Sequence, residues 1–230
     1  MQPTAANLIR WAGLAAMASG ILFVVMQPIH PADVLSSVTT DRWAIVHYLG
    51  VAMGFFGLLG VAGLYARQAD KVGWLGLAGY LLLSLFYALT LAFQFIEAFV
   101  SPRLATASPA FVEGLLGIAN GHATGIDLGA LPTVYDLTGG AYLLGGLLLG
   151  IATFRARILP RWTGILLAAA VPVAPVAVQL LPHAIERYAA VPMGVALACL
   201  GYTLWSERRA HAAEPVLGRG SPQLRPAGAD

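Results

Sequence analysis

Residues 72–100 read VGWLGLAGYLLLSLFYALTLAFQFIEAFV, and they form the longest apolar run in the chain. A helix that crosses the hydrocarbon core of a bilayer needs about 20 apolar residues, so this run is long enough to span a membrane. Its last turns hold Gln94 and Glu97, whose spacing places both side chains on one face of a helix. Because an ionisable group inside a membrane span is costly, Glu97 is a candidate functional residue.

The composition extends this interpretation to the whole chain. The 230 residues are 58% hydrophobic and 10% charged, whereas soluble domains carry about 25% charged residues. The net charge of +2 is too small to indicate nucleic-acid binding, and no basic run is interleaved with aromatic residues. The single Cys199 excludes an intrachain disulfide and a cysteine-based metal site.

Six apolar segments are long enough to cross a membrane, so we predict an all-α, polytopic membrane protein with six transmembrane helices. Residues 1–206 form one transmembrane domain, and the polar residues 207–230 are expected to be a disordered cytoplasmic tail. The predicted spans are Leu8–Met26, Trp43–Tyr65, Val72–Val100, Val134–Phe154, Trp162–Leu181 and Ile185–Trp205.

The basic residues alternate between the two sides of the predicted membrane. Ten of them fall on the side of the N-terminus and only three, Arg42, Arg103 and Arg187, on the other. Cytoplasmic loops are enriched in Lys and Arg, so both termini are predicted to be cytoplasmic, in a cell membrane. The ten residues are Arg10, Arg67, Lys71, Arg155, Arg157, Arg161, Arg208, Arg209, Arg219 and Arg225.

Local signals predict where helices begin, break and pack. Thr40 or Asp41 is expected to cap the second span. In the long outer loop, Ser101–Thr133, Ser108-Pro109 is a good helix start and Asn120-Gly121 a stop. The inner loops 66–71 and 155–161 are short and basic. Pro172 and Pro175 should kink the fifth span, and small residues such as the pairs Gly50–Gly54 and Gly146–Gly150 should let helices approach closely.

Polar side chains in the spans concentrate at the predicted outer ends of the helices, which predicts an outward-facing polar pocket roofed by the outer loop with His122 and Asp127. We take Glu97, Asp136 and His47 as candidate catalytic residues. The candidate ligand-binding residues are Gln94, Gln27, Gln179, His183 and Glu186.

Each candidate also has a purely structural explanation. Asp136 follows Thr133 by three residues, which resembles a capping box. Glu186 in the first turn of its helix would favour the helix dipole. His183 and His122 could be solvated, and His47 could serve only an interhelical hydrogen bond. Glu97 is the strongest functional candidate, because a lipid-facing pair with Gln94 would be costly.

Several kinds of chemistry fit such a set. Two carboxylates in different environments could act as acid and base. No spacing typical of a metal site is present, so we predict no metal. Only His47 is an intramembrane histidine, which argues against haem, and the sequence does not identify any cofactor.

The segment Arg155-Ala-Arg-Ile-Leu-Pro160-Arg-Trp162-Thr-Gly-Ile-Leu-Leu resembles one found in uncharacterised six-helix integral membrane proteins of actinobacteria. The resemblance covers the second half of the chain. It implies a six-helix fold and a cell-membrane location, and it assigns no catalytic residue.

Three functions remain open at this point. The chain could bind or transport a small or lipid-like molecule from the outer leaflet. It could be a membrane-embedded enzyme that uses Glu97, with Asp136 or His47, on an apolar substrate. It could instead be a scaffold or accessory subunit whose glycine faces pack on a partner chain or on a second copy.

Overall fold

The computed structural model describes residues 4–121, 125–181, 185 and 187–213. These residues are helical with no strand, which confirms the all-α prediction. A π-helical turn, Ile96–Val100, joins α3 to α4, and a 3-10 turn, Arg187–Ala190, precedes α9. The helices are α1 (Ala5–Ile29), α2 (Leu35–Val38), α3 (Asp41–Phe95), α4 (Ser101–Ala107), α5 (Pro109–Ala119), α6 (Leu131–Ala156), α7 (Arg161–Ala170), α8 (Val173–Leu180) and α9 (Val191–Ala213).

Four helical stretches of the described chain are long and apolar enough to cross a membrane. They are fewer than the six predicted spans for two geometric reasons. The longest stretch, Asp41–Ala107, contains two of the predicted spans. The predicted span Trp162–Leu181 is divided between α7 and α8. The other three stretches are Ala5–Ile29, Leu131–Ala156 and Arg187–Ser206.

Helix α3 folds back on itself at Gly73, which divides it into a first arm, residues 41–72, and a second arm, residues 74–95. Gly73 has φ 56° and ψ −158°, a conformation that essentially only glycine adopts. The rings of Tyr65 and Tyr80 stack with centroids 4.7 Å apart, and Gly57 faces the ring of Tyr87. The two arms are therefore antiparallel neighbours. The predicted inner loop 66–71 is helical instead, and the reversal needs only Gly73.

The long helices form a closed ring around one apolar core. Helix α1 packs against α9 and the first arm, the second arm packs against α6, and α7 lies between α6 and α9. The core includes Leu83, Leu149, Leu167, Met193 and Leu197, all of them almost fully buried.

Glycines allow the helices to approach closely, as predicted. A Cβ at Gly20 would overlap the backbone of Gly194 and Ala198 in α9. Gly150 likewise faces the backbone of α7. These glycine faces are occupied by helices of the same chain, so they do not indicate a separate partner.

Several predicted helix boundaries are confirmed. The Thr40 hydroxyl caps α3 by accepting from the backbone N–H of Trp43 at 3.3 Å. Helix α5 begins at Pro109 after Ser108 and ends before Asn120. The fifth predicted span breaks at Pro172, between α7 and α8.

Two other boundaries differ from the prediction. The third predicted span does not stop at Val100, because the helix continues through the π-helical turn into α4. Helix α9 continues past residue 206 to Ala213, and residues 214–230 of the predicted tail lie outside the described residues.

We call the end of the bundle at which Glu97 lies the site end. A small second apolar cluster lies at this end. Val38 of α2, Trp43 of α3, and Val112 and Leu116 of α5 are buried against one another. This cluster holds the Trp43 ring in place beside the site described next.

Candidate functional site

A cavity of about 390 Å³ opens at the site end. That volume is within the range of small-molecule sites, about 300–1,000 Å³. Three of the predicted binding and catalytic residues line it: Gln27, Gln94 and Glu97. The polar lining is completed by His30, Asp33, Thr90, Thr138 and Arg187.

His47, a further candidate from the sequence, lies buried directly behind Glu97 and is 1% exposed. Its Nδ1 is 2.7 Å from the carbonyl oxygen of Trp43. A carbonyl can only accept, so Nδ1 carries a hydrogen. The other ring nitrogen, Nε2, is 3.3 Å from Oε2 of Glu97. Two bare acceptors would repel each other there, so one proton lies between the His47 and Glu97 side chains.

The backbone around Glu97 is irregular, and its carbonyl accepts a tertiary hydrogen bond. Glu97 lies in the π-helical turn Ile96–Val100, and such turns occur frequently at functional sites. The indole Nε1 of Trp43 donates to the Glu97 carbonyl oxygen at 2.8 Å. Trp43 thus fixes the site twice, through this bond and through its ring, which stacks on His47 with centroids 4.1 Å apart.

Gln94 orients the Glu97 carboxylate. Its Nε2 donates to Oε2 of Glu97 at 3.0 Å, so the spacing of three residues has the predicted effect. The Gln94 side chain fits only because position 50 is glycine, where a Cβ would overlap it. Glu97 Oε2 therefore faces both Gln94 and His47, while Oε1 has no hydrogen-bond partner among the described residues.

Aromatic rings form the apolar part of the cavity wall. Phe86 and Tyr142 lie with ring centroids 5.2 Å apart, and Phe93 and Tyr135 with centroids 5.6 Å apart. The Tyr142 side chain is 8% exposed, and its hydroxyl has no hydrogen-bond partner in the described structure. Buried hydroxyls are nearly always paired, so a cavity occupant would satisfy Tyr142.

A second polar group, formed by His30, Asp33 and Arg187, joins the end of α1 to the turn before α9. Arg187 Nη1 donates to the carbonyl oxygens of His30 at 3.1 Å and Pro31 at 3.3 Å, and Nη2 is 3.7 Å from Asp33 Oδ2. Burial lowers the pKa of His30 from its ordinary value, and the Asp33 carboxylate opposes that shift.

Sequence reasoning missed this second group. His30 and Asp33 flank Pro31 in the first predicted outer loop, and Arg187 was assigned only to the outer side of the membrane. Their position beside the polar ends of the spans was the available signal.

Among the remaining candidates, the structure describes only the side chain of Asp136. Asp136 is exposed and does not line the cavity. Helix α6 begins at Leu131 after Ala130, so the capping explanation for Asp136 is wrong as well. Gln179 belongs to α8, and its side chain lies outside the described part. His183, Glu186 and the loop residue His122 are outside the described residues.

The arrangement can transfer or hold one proton and can accept a hydrogen bond from a ligand at Glu97 Oε1. Within the described residues, no three His, Cys, Asp or Glu side chains are grouped closely enough to hold a metal ion.

No family model, no curated protein and no solved structure matches this chain. The resemblance to actinobacterial six-helix membrane proteins stays a prediction, and the function has to be argued from the site itself.

Proposed function

We propose that this chain is a six-span membrane protein that binds a small or lipid-like molecule in a cavity facing the outside of the cell. The observation that carries the proposal is the combination of polar and aromatic walls around about 390 Å³, with the unpaired hydroxyl of Tyr142 in the wall. Convergent polar groups in an otherwise apolar cavity are typical of ligand sites.

The geometry of the bundle supports six crossings. The two antiparallel arms of α3 count as two, α7 with α8 counts as one, and α1, α6 and α9 supply the other three. With six crossings, the ten basic residues on the side of the N-terminus favour a cytoplasmic location for both termini. The site end then faces the outside.

Two contacts favour binding over the scaffold alternative. The predicted packing pairs Gly50–Gly54 and Gly146–Gly150 face residues of the same chain rather than a partner. The costly pair Gln94 and Glu97 faces a cavity and is bonded to His47 rather than to lipid.

One observation favours a second candidate function, an enzyme that uses acid–base chemistry. The proton between His47 and Glu97 lies next to the cavity, and a shared proton is what a general acid or base needs. In this alternative Glu97 and His47 act together, and Asp136 has no part because it does not line the cavity.

Native mass spectrometry of the detergent-purified protein, with elemental analysis of the same sample, tests the proposal. We expect a retained small molecule or lipid that is lost in E97Q and kept in E113Q. Glu113 is the matched control, since it is an exposed carboxylate on α5 that does not line the cavity. If wild-type, E97Q and E113Q each show only the mass of the polypeptide without a ligand, the result would contradict the proposal and favour the scaffold function.

A further inference from the structure

The hydrogen-bond inventory of the cavity indicates which ligand it fits. The nitrogen donors of three lining side chains are already engaged: Gln94 donates to Glu97, and Gln27 donates to the Phe23 carbonyl oxygen at 2.7 Å. Arg187 is engaged by two carbonyls and Asp33. The Tyr142 hydroxyl is unpaired and can donate or accept, and Glu97 Oε1 is a strong acceptor without a partner among the described residues. A ligand that brings a donor or a positive charge therefore fits the described part of this wall better than an anion does.

The aromatic wall points to the same chemistry. Phe86, Phe93, Tyr135 and Tyr142 line the cavity together with the Glu97 carboxylate. Aromatic faces attract cations through the ring quadrupole, and cages of aromatic residues recognise organic ammonium groups. Rings beside a carboxylate thus match the positive head and apolar substituents of an alkylammonium ion.

We propose that the ligand of this cavity is an organic ammonium cation, and that it binds at Oε1 of Glu97. This inference rests on the proposed function, because it names the ligand class of the same cavity. Before binding, the pair carries one proton and no net charge, as imidazolium with carboxylate or as neutral imidazole with carboxylic acid.

The cation approaches Oε1, no bond is made or broken, and the proton stays between His47 and Glu97. The other titratable groups that line the described part of the cavity are His30, whose ring centroid is 5.3 Å from that of His47, Asp33 and Arg187.

Choline and its neutral carbon isostere, 3,3-dimethylbutan-1-ol, are the probes for the test, with isothermal titration calorimetry on the full chain in lipid nanodiscs. We expect choline to bind at least about tenfold more tightly than the isostere, because only choline carries the charge that the rings and Glu97 recognise. E97Q should remove that preference, and E113Q should keep it.

The possible outcomes separate this inference from the proposed function. If choline and the isostere bind equally well, and Y142F binds neither, the ligand is not recognised by its positive charge. That result would overturn the proposed ligand class but would leave the binding site. No binding of either probe, together with an empty native mass, would overturn both. If wild-type retains phosphatidylcholine, E97Q does not, and neither retains phosphatidylglycerol, the ammonium group belongs to a lipid headgroup. If choline binds and no lipid is retained, the ligand is a free organic ammonium compound.

Discussion

At the residue scale, His47 and Glu97 form a unit whose parts cannot be removed independently. Each is the partner of the other at 3.3 Å, and His47 is fully buried. Removing Glu97 leaves Nε2 of His47 without a partner, and removing His47 leaves Glu97 with only Gln94. An unsatisfied buried polar group costs about 1–3 kcal/mol. We therefore expect E97L and H47F to destabilise the protein singly and the double variant to be more stable than the sum predicts.

Thermal unfolding in detergent of the two single variants and the double variant checks this coupling. Contacting residues typically show a coupling energy of about 0.5–3 kcal/mol. E113Q serves as the control and should stay within about 0.5 kcal/mol of wild-type, as surface substitutions do. Additive effects of E97L and H47F would show that the two side chains do not interact.

Tyr142 gives a residue-scale prediction of the opposite sign. Its buried hydroxyl has no partner, so Y142F removes an unsatisfied polar group and should leave the ligand-free protein as stable or up to about 1 kcal/mol more stable. The same variant should retain less ligand in native mass spectrometry. Y48F, at an exposed tyrosine, is the control for both measurements. A clear loss of stability in ligand-free Y142F would indicate that its hydroxyl is bonded.

At the scale of elements, part of the helical pattern follows from the sequence and part from tertiary contacts. The caps at Thr40 and Ser108 and the break at Pro172 arise from local chemistry, so they were predictable. The hydrogen bond from Trp43 to the Glu97 carbonyl was not, because Trp43 is far away in the chain. The proton between His47 and Glu97 depends on that same placement.

The reversal at Gly73 supports a prediction about a single element. Nothing lies within 4 Å of a Cβ added at Gly73, so the cost of G73A is purely a matter of backbone conformation. That conformation costs a non-glycine residue about 1–3 kcal/mol. G140A is the matched control, since Gly140 is equally open but helical, and alanine there should gain up to about 1 kcal/mol. Equal melting temperatures for the two variants would contradict this explanation.

At the scale of the whole molecule, the closed ring of helices explains why the sequence could locate the site end without showing what lies there. Apolar length and polar residues at the helix ends identified Gln27, Gln94 and Glu97. The contact of Arg187 with His30 and Asp33 could not be predicted without the closed ring of helices, because this contact joins the turn before the last helix to the end of the first.

The orientation of the molecule is tested by labelling intact cells with a membrane-impermeant maleimide. In a C199A background, S36C at the site end should be labelled, whereas D70C, next to the reversal at Gly73, should be labelled only after the membrane is opened. Both positions are exposed, so burial in the protein cannot explain a difference. The ten basic residues on the side of Asp70 require this result if they are cytoplasmic. If D70C is labelled in intact cells and S36C is not, the orientation is the opposite of the predicted one, and the cavity faces the cytoplasm.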